Sequence, residues 1–246
     1  MGVWQDGHMS NAEIAPPVST PTILDRWEIT AEQLTKAMDE NPSCRGMLFG
    51  YIAEYKLREM WFTKRKGVTG EVVKDDDHDR ENKGDLVVTY KGRPFRIESK
   101  SLQTNSVIQT AAGTYFGKAQ CDASDRRRVK FPDGSTLETT CLLRGEFDIL
   151  AINIYAFQNK WKFVFCKNQD LPKNTYRKYT AAQQKYLLPS LIPTFWPPQP
   201  PFRNEPFSLM EEMLKKPKNA SKSVSFQPVS SRKPKSKSDS SGRAPA

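Results

Sequence analysis

Histidine and cysteine are scarce in this chain of 246 residues: His8 and His78 are the only histidines, and Cys44, Cys121, Cys141 and Cys166 include no pair at CxxC spacing. That excludes zinc ribbons and zinc fingers, and four scattered thiols in a chain of this length do not make a disulfide scaffold, so free buried cysteines are expected. Long apolar runs are also missing. No stretch approaches the roughly 18 residues needed to span a bilayer, and the N-terminus lacks the basic start and apolar core of a signal peptide. With a mean hydropathy of -0.67, the reading is a soluble, intracellular chain with no membrane partner. Internal repeats are absent as well. What is present, 37% hydrophobic and 27% charged residues, is enough for one globular domain with a core and unfolded extremities.

Acids are nearly absent from the C-terminal end. From Lys215 onward there are nine basic residues and one acid, Asp239, so most of the formal net charge of +10 sits there and the body is nearly neutral. Such a balance favours a polyanionic partner. The Lys/Ser/Pro composition of residues 215–246 offers too little apolar area to offset ordering entropy, which predicts a disordered basic tail. Residues 1–22 have no periodicity and contain Pro16, Pro17 and Pro21, which predicts an irregular arm. The domain is then residues 23–214.

Within it, Thr30 and Gln33 form a capping box ahead of a helix over 31–40, and Asn41-Pro42-Ser43 offers a fresh cap for a second helix over about 43–62. That second helix places Leu48, Tyr51, Ile52, Tyr55 and Phe62 on one stripe, the expected buried face. The period then shortens, giving strands over about 70–74, 85–90, 94–101, 147–157 and 161–167. The run Phe147 to Tyr155 is apolar on both faces and should be central. Residues 105–120 are the expected helix between the third and fourth strands, and Trp196 with its neighbouring prolines is expected to cover the core or build an interface.

The segment from Gly84 to Lys100 carries the chemistry. If Lys91-Gly92 is a two-residue hairpin turn, residues facing each other have numbers that sum to 183, so Tyr90 faces Arg93 and Asp85 faces Glu98 on a non-hydrogen-bonded pair. Two carboxylates there, about 4.5–5.5 Å apart at Cβ, repel unless a cation neutralises them. Alternation places Arg96, Glu98 and Lys100 on one face, so an ammonium stands beside the acids. Mg²⁺ binds to a few carboxylate oxygens while keeping several waters, and it can activate a water and polarise a phosphoryl oxygen. A neighbouring lysine can offset charge that develops in the transition state.

Asp85 followed by Glu98-Ser99-Lys100, within an order of helix, three strands, helix and strands, resembles the PD-(D/E)XK nucleases, and among them the type II restriction endonucleases. The resemblance covers about residues 43–167, with Gly84 where the motif's name has proline. It implies a restriction-endonuclease-like α/β core, a central mixed β-sheet flanked by helices. It further implies Mg²⁺-dependent endonucleolytic hydrolysis of double-stranded DNA at a short specific sequence, in a homodimer. A cognate DNA methyltransferase acting on the same site and a prokaryotic, cytoplasmic, nucleoid-associated location also follow from it. By the same resemblance Asp85 and Glu98 bind the metal, Lys100 activates or positions water, and Glu54 is the acid on the first core helix; the other reading of Glu54 is a solvated charge paired with Arg58.

Arg126, Arg127, Arg128 and Lys130 form a basic run read as a phosphate-binding loop, or otherwise a solvated loop paired with Asp122 and Asp125. Gln103, Asn105 and Gln109 follow the Glu98–Lys100 strand and are placed toward the DNA. The run Asp75 to Glu81 lacks the glycine and oxygen spacing of a calcium loop and reads as a solvated acidic loop. Asp148 reads as a buried, hydrogen-bonded acid. The alternatives to the site-specific nuclease are a repair or structure-specific nuclease, an RNA nuclease, and a non-catalytic nucleic-acid-binding protein.

Overall fold

A computed structural model of the chain describes residues 20–70, 72–74 and 84–215. The basic tail beyond Lys215, most of the expected N-terminal arm, and the acidic run with His78 lie outside the described residues. The chain divides into two compact units, residues 1–48 and 49–246.

The first unit holds α1 (Ile23–Trp27), α2 (Ala31–Glu40) and the start of α3 (Pro42–Leu57). The predicted capping box is in place: the Gln33 N–H donates to Thr30 Oγ1 at 3.2 Å and the Thr30 N–H to Gln33 Oε1 at 2.9 Å, which satisfies two orphan amides at the helix start. Thr22 and Asp25 cap α1 in the same way. No side chain of α1 or α2 is buried.

In the second unit α3 runs into a π-helical turn, Arg58–Phe62. Of the stripe expected to be buried, only Phe62 is; Leu48, Tyr51, Ile52 and Tyr55 are exposed, while Ala53 and Leu57 are buried. Apolar residues are spread around this helix, so its pattern did not single out one face.

Ten strands follow among the described residues: β1 (Val73–Lys74), β2 (Leu86–Tyr90), β3 (Arg93–Ser101), β4 (Ile108–Ala111), β5 (Thr114–Gln120), β6 (Asp122–Lys130), β7 (Thr136–Cys141), β8 (Ile149–Asn153), β9 (Phe163–Lys167) and β10 (Leu191–Trp196). Short helices are interspersed: α4 (Tyr155–Gln158), α5 (Ala181–Tyr186) and α6 (Phe207–Lys215). The main sheet has the order β1-β2-β3-β8-β9, with β3 and β8 parallel and the other pairs antiparallel. All five residues of β8 are buried, as its two-sided apolar run requires of a central strand. One face of the sheet (Val88, Phe95, Ile97, Ile149, Phe165) packs on Leu57, Phe62, Leu209 and Met210. The other (Leu150, Ile152, Val164, Cys166) lies under Leu102, Ala119, Leu142, Phe157 and Ile192. At about 1.5–3 kcal/mol for each large aliphatic or aromatic side chain, burial on both faces makes this sheet the main source of stability.

Three sequence expectations fail here, the first being the strand over 147–157, which ends at Asn153 and gives way to α4. Residues 105–120 are not a helix: a 3-10 turn, Thr104–Ser106, leads into the β4–β5 hairpin, and β10 completes a three-stranded sheet in the order β10-β5-β4. Gly113 supplies the positive φ of 73° at the hairpin turn, and the β-branched and aromatic residues Ile108, Thr110, Thr114, Tyr115 and Phe116 favour strands. Likewise the basic run is not a loop but strand β6, paired with β7 from Arg127↔Thr139 to Lys130↔Thr136, with Gly134 turning the hairpin at a φ of 83°. The crossover from β3 to the parallel strand β8 is thus made of two β-hairpins. Trp196 packs against the core, within the expectation for it.

Candidate active site

The β2–β3 hairpin has the register read from the sequence, Tyr90↔Arg93 through Leu86↔Ile97. Lys91 and Gly92 both take positive φ, 48° and 78°, the signature of a tight hairpin turn whose twist matches its strands. Pro94 faces Thr89, where the missing N–H takes no bond from the ladder within this hairpin. Asp85 stands immediately before β2. The chain reaches it through Gly84 at a φ of 123°, a conformation closed to proline, and a Cβ there would meet the Cβ of Arg96 at 3.2 Å. Glycine at this position is therefore built into this backbone.

Asp85 Oδ2 accepts the Ser99 N–H at 2.6 Å, which fixes one oxygen of the carboxylate. Glu98 is buried, 5% exposed, on a face shared with Leu150, and Lys100 Nζ lies 2.7 Å from Glu98 Oε1. Burial pushes the Asp85 carboxyl up to about 8; the Glu98 charge adds to this, Lys100 opposes it, and Glu54 on α3 raises it further. Burial alone would lower the Lys100 ammonium, but Glu98 and Asp85 together hold it above its ordinary range. Lys100 therefore stays protonated at neutral pH. The Cys121 thiol, within electrostatic reach of Lys100 and Glu98, is pushed up to about 12 by burial and is no nucleophile at neutral pH. Asp85, Glu98, Lys100 and the half-buried Glu54 thus belong to one electrostatic cluster.

Among the described residues no group of three or more His, Cys, Asp or Glu side chains is close enough to form a ready metal cage. The donor set nonetheless fits a hard divalent ion. Two desolvated carboxylates, one neutralised only by a lysine and the other raised toward protonation, suit Mg²⁺, which needs only one or two protein carboxylates and completes its shell with water and phosphate oxygens.

Of the expected DNA contacts, Arg126 and Lys130 are exposed on β6. Arg127 is committed elsewhere, to Glu146 and to the Cys141 carbonyl at 3.2 Å, and Arg128 pairs with Glu138 at 3.1 Å. Gln103 Nε2 donates to Gln120 Oε1 at 3.2 Å, while Asn105 and Gln109 are exposed. Asp148 accepts the Arg96 N–H at 2.8 Å, the hydrogen-bonded structural acid read from the sequence, although it is only partly buried. Two parts of the cluster had no local signal: the Ser99 amide that clamps Asp85 and the Cys121 thiol, both placed by pairing across the sheets. Compared with family models, curated proteins and solved structures, the chain matched none.

Proposed function

We propose that the chain is a Mg²⁺-dependent endonuclease that hydrolyses phosphodiester bonds in DNA. The observation that carries this reading is the pairing of two desolvated carboxylates, Asp85 and Glu98, with a lysine held protonated 2.7 Å from one of them. Asp85 and Glu98 would hold the ion, which when bound would supply Lewis acidity toward a phosphoryl oxygen and a more acidic water. Lys100, cationic at neutral pH, orients the attacking water and offsets negative charge on the phosphorane-like oxygens; it does not act as a base. The Ser99 amide keeps Asp85 aimed, and Glu54 adds negative potential that draws a cation to the site. With the Cys121 thiol raised by burial, the reading is direct attack by water on the phosphodiester.

Double-stranded DNA, a short recognition sequence and a homodimer with two cutting sites follow from the family resemblance. Supercoiled plasmid incubated with Mg²⁺ or with EDTA tests the activity. Nicked or linear product that requires Mg²⁺ and is lost in Asp85→Ala and Lys100→Ala supports it. Plasmid bound but uncut under all conditions rejects it in favour of a non-catalytic binding protein.

A further inference from the structure

The inner face of the β10-β5-β4 sheet is core: Ile192, Thr194 and Ala119 are fully buried, and Tyr115 stacks on Phe157. Among the described residues nothing covers its outer face. The register places Leu191, Pro193 and Phe195 of β10 beside Gln120, Lys118 and Phe116 of β5, with Ile108 of β4 next to Phe116. Ile108 and Leu191 are 57% and 41% exposed, and the partly exposed rings of Phe116 and Phe195 lie 5.1 Å apart.

We propose that this outer face binds unpaired bases of a nucleic-acid strand, with Phe116 and Phe195 as stacking surfaces and Lys118 as the phosphate contact. Aromatic side chains on an open sheet, next to a cation, are how single strands are held without reading their sequence. Charge selects the partner: β4, β5 and β10 contain one lysine and no acid. Size does so too. Three strands over five residues cover about 10 by 17 Å, far less than the roughly 800 Å² per partner of a stable dimer but enough for two or three bases. The face is also coupled to the candidate site, because β5 leads into Cys121, beside Lys100, and Ala119 bridges to Leu102, two residues beyond Lys100. The choice of nucleic acid rests on the nuclease reading, to which the inference adds a second contact for any unpaired segment of the DNA.

Fluorescence anisotropy in EDTA, with a labelled single-stranded oligonucleotide and the matching duplex, tests this apart from cleavage. Phe116→Ala/Phe195→Ala should weaken single-strand binding by about 10- to 100-fold and duplex binding less than about twofold. Lys118→Glu, an exposed change that does not threaten folding, should weaken it in the same direction and reduce its salt dependence. Wild-type protein that does not bind the single strand, or variants that bind it unchanged, overturn the inference, as does a variant whose only change is loss of self-association in sizing chromatography. Plasmid cleavage measured in parallel separates the two claims. Cutting without single-strand binding rejects this inference alone, and Phe-dependent binding without cutting rejects the nuclease reading alone.

Discussion

Lys100 Nζ lies 2.7 Å from Glu98 Oε1, with 20% of the lysine side chain and 6% of the glutamate exposed, so each is the other's main compensation for lost solvent. Lys100→Met would leave Glu98 buried and unpaired. It should lower stability by about 3–5 kcal/mol in urea unfolding, and Lys100→Met/Glu98→Leu should regain much of that loss. Cleavage by Lys100→Met should fall by about 10²–10³-fold. Equal stability of the single and double variants would contradict the pairing.

Asp85 sets a stability that falls with pH. Its folded pKa of about 8 exceeds the ordinary 3.8, so the folded protein binds the extra proton. Its contribution to metal-free stability is full below about pH 4 and is lost as pH rises from there through about 8. Asp85→Asn removes that decline and should raise the melting temperature of the metal-free protein at pH 8 while abolishing cleavage. Mg²⁺ should stabilise the wild type and not the variant. Thermal scans at several pH values, with and without Mg²⁺, check both.

Glu212 on α6 behaves in the opposite sense. Hydrogen bonds from Lys167 and then Arg203 hold its carboxyl at about 2, below the ordinary 4.5. The contribution is present above pH 4.5 and is lost as pH falls from there toward 2. Glu212→Gln should flatten the acid side of the stability profile in that window and leave the profile above neutrality unchanged, as read by circular dichroism during acid titration.

Gly84→Pro should be damaging. The φ of 123° is closed to proline, and the added ring would press on Arg96 and Ile97. A loss of about 2–4 kcal/mol in denaturant unfolding is expected, with Gly84→Ala less severe. A stable, active Gly84→Pro protein would mean that the approach to Asp85 takes another path.

The parts of this fold that were legible in the sequence are those written in local chemistry. Lys91-Gly92 dictates the hairpin turn, hence the register that brings Asp85 toward Glu98; the two-sided apolar run Ile149–Asn153 dictates a central strand; Thr30 and Gln33 dictate a helix start. The rest depends on contacts far apart in the chain. Residues 105–120 alternate weakly between helical and strand patterns, and only pairing with Leu191–Trp196 decides for a sheet. The basic residues 126–130 become a strand through residues 136–141, which takes Arg127 out of solvent to Glu146. Helix α3 is apolar around its circumference, so which side meets the sheet was not readable. The Ser99 clamp on Asp85 and the proximity of Cys121 to Lys100 carry no motif.

Digestion of a long duplex of known sequence by the wild-type protein, with Mg²⁺ and with EDTA, bears on the nuclease claim most directly. Fragments that form only with Mg²⁺, and not with Asp85→Ala, are the expected result; discrete bands would place the protein among site-specific cutters, and a smear or a need for unpaired DNA would place it among structure-directed ones. DNA of every form left intact by folded wild-type protein in Mg²⁺ would contradict it.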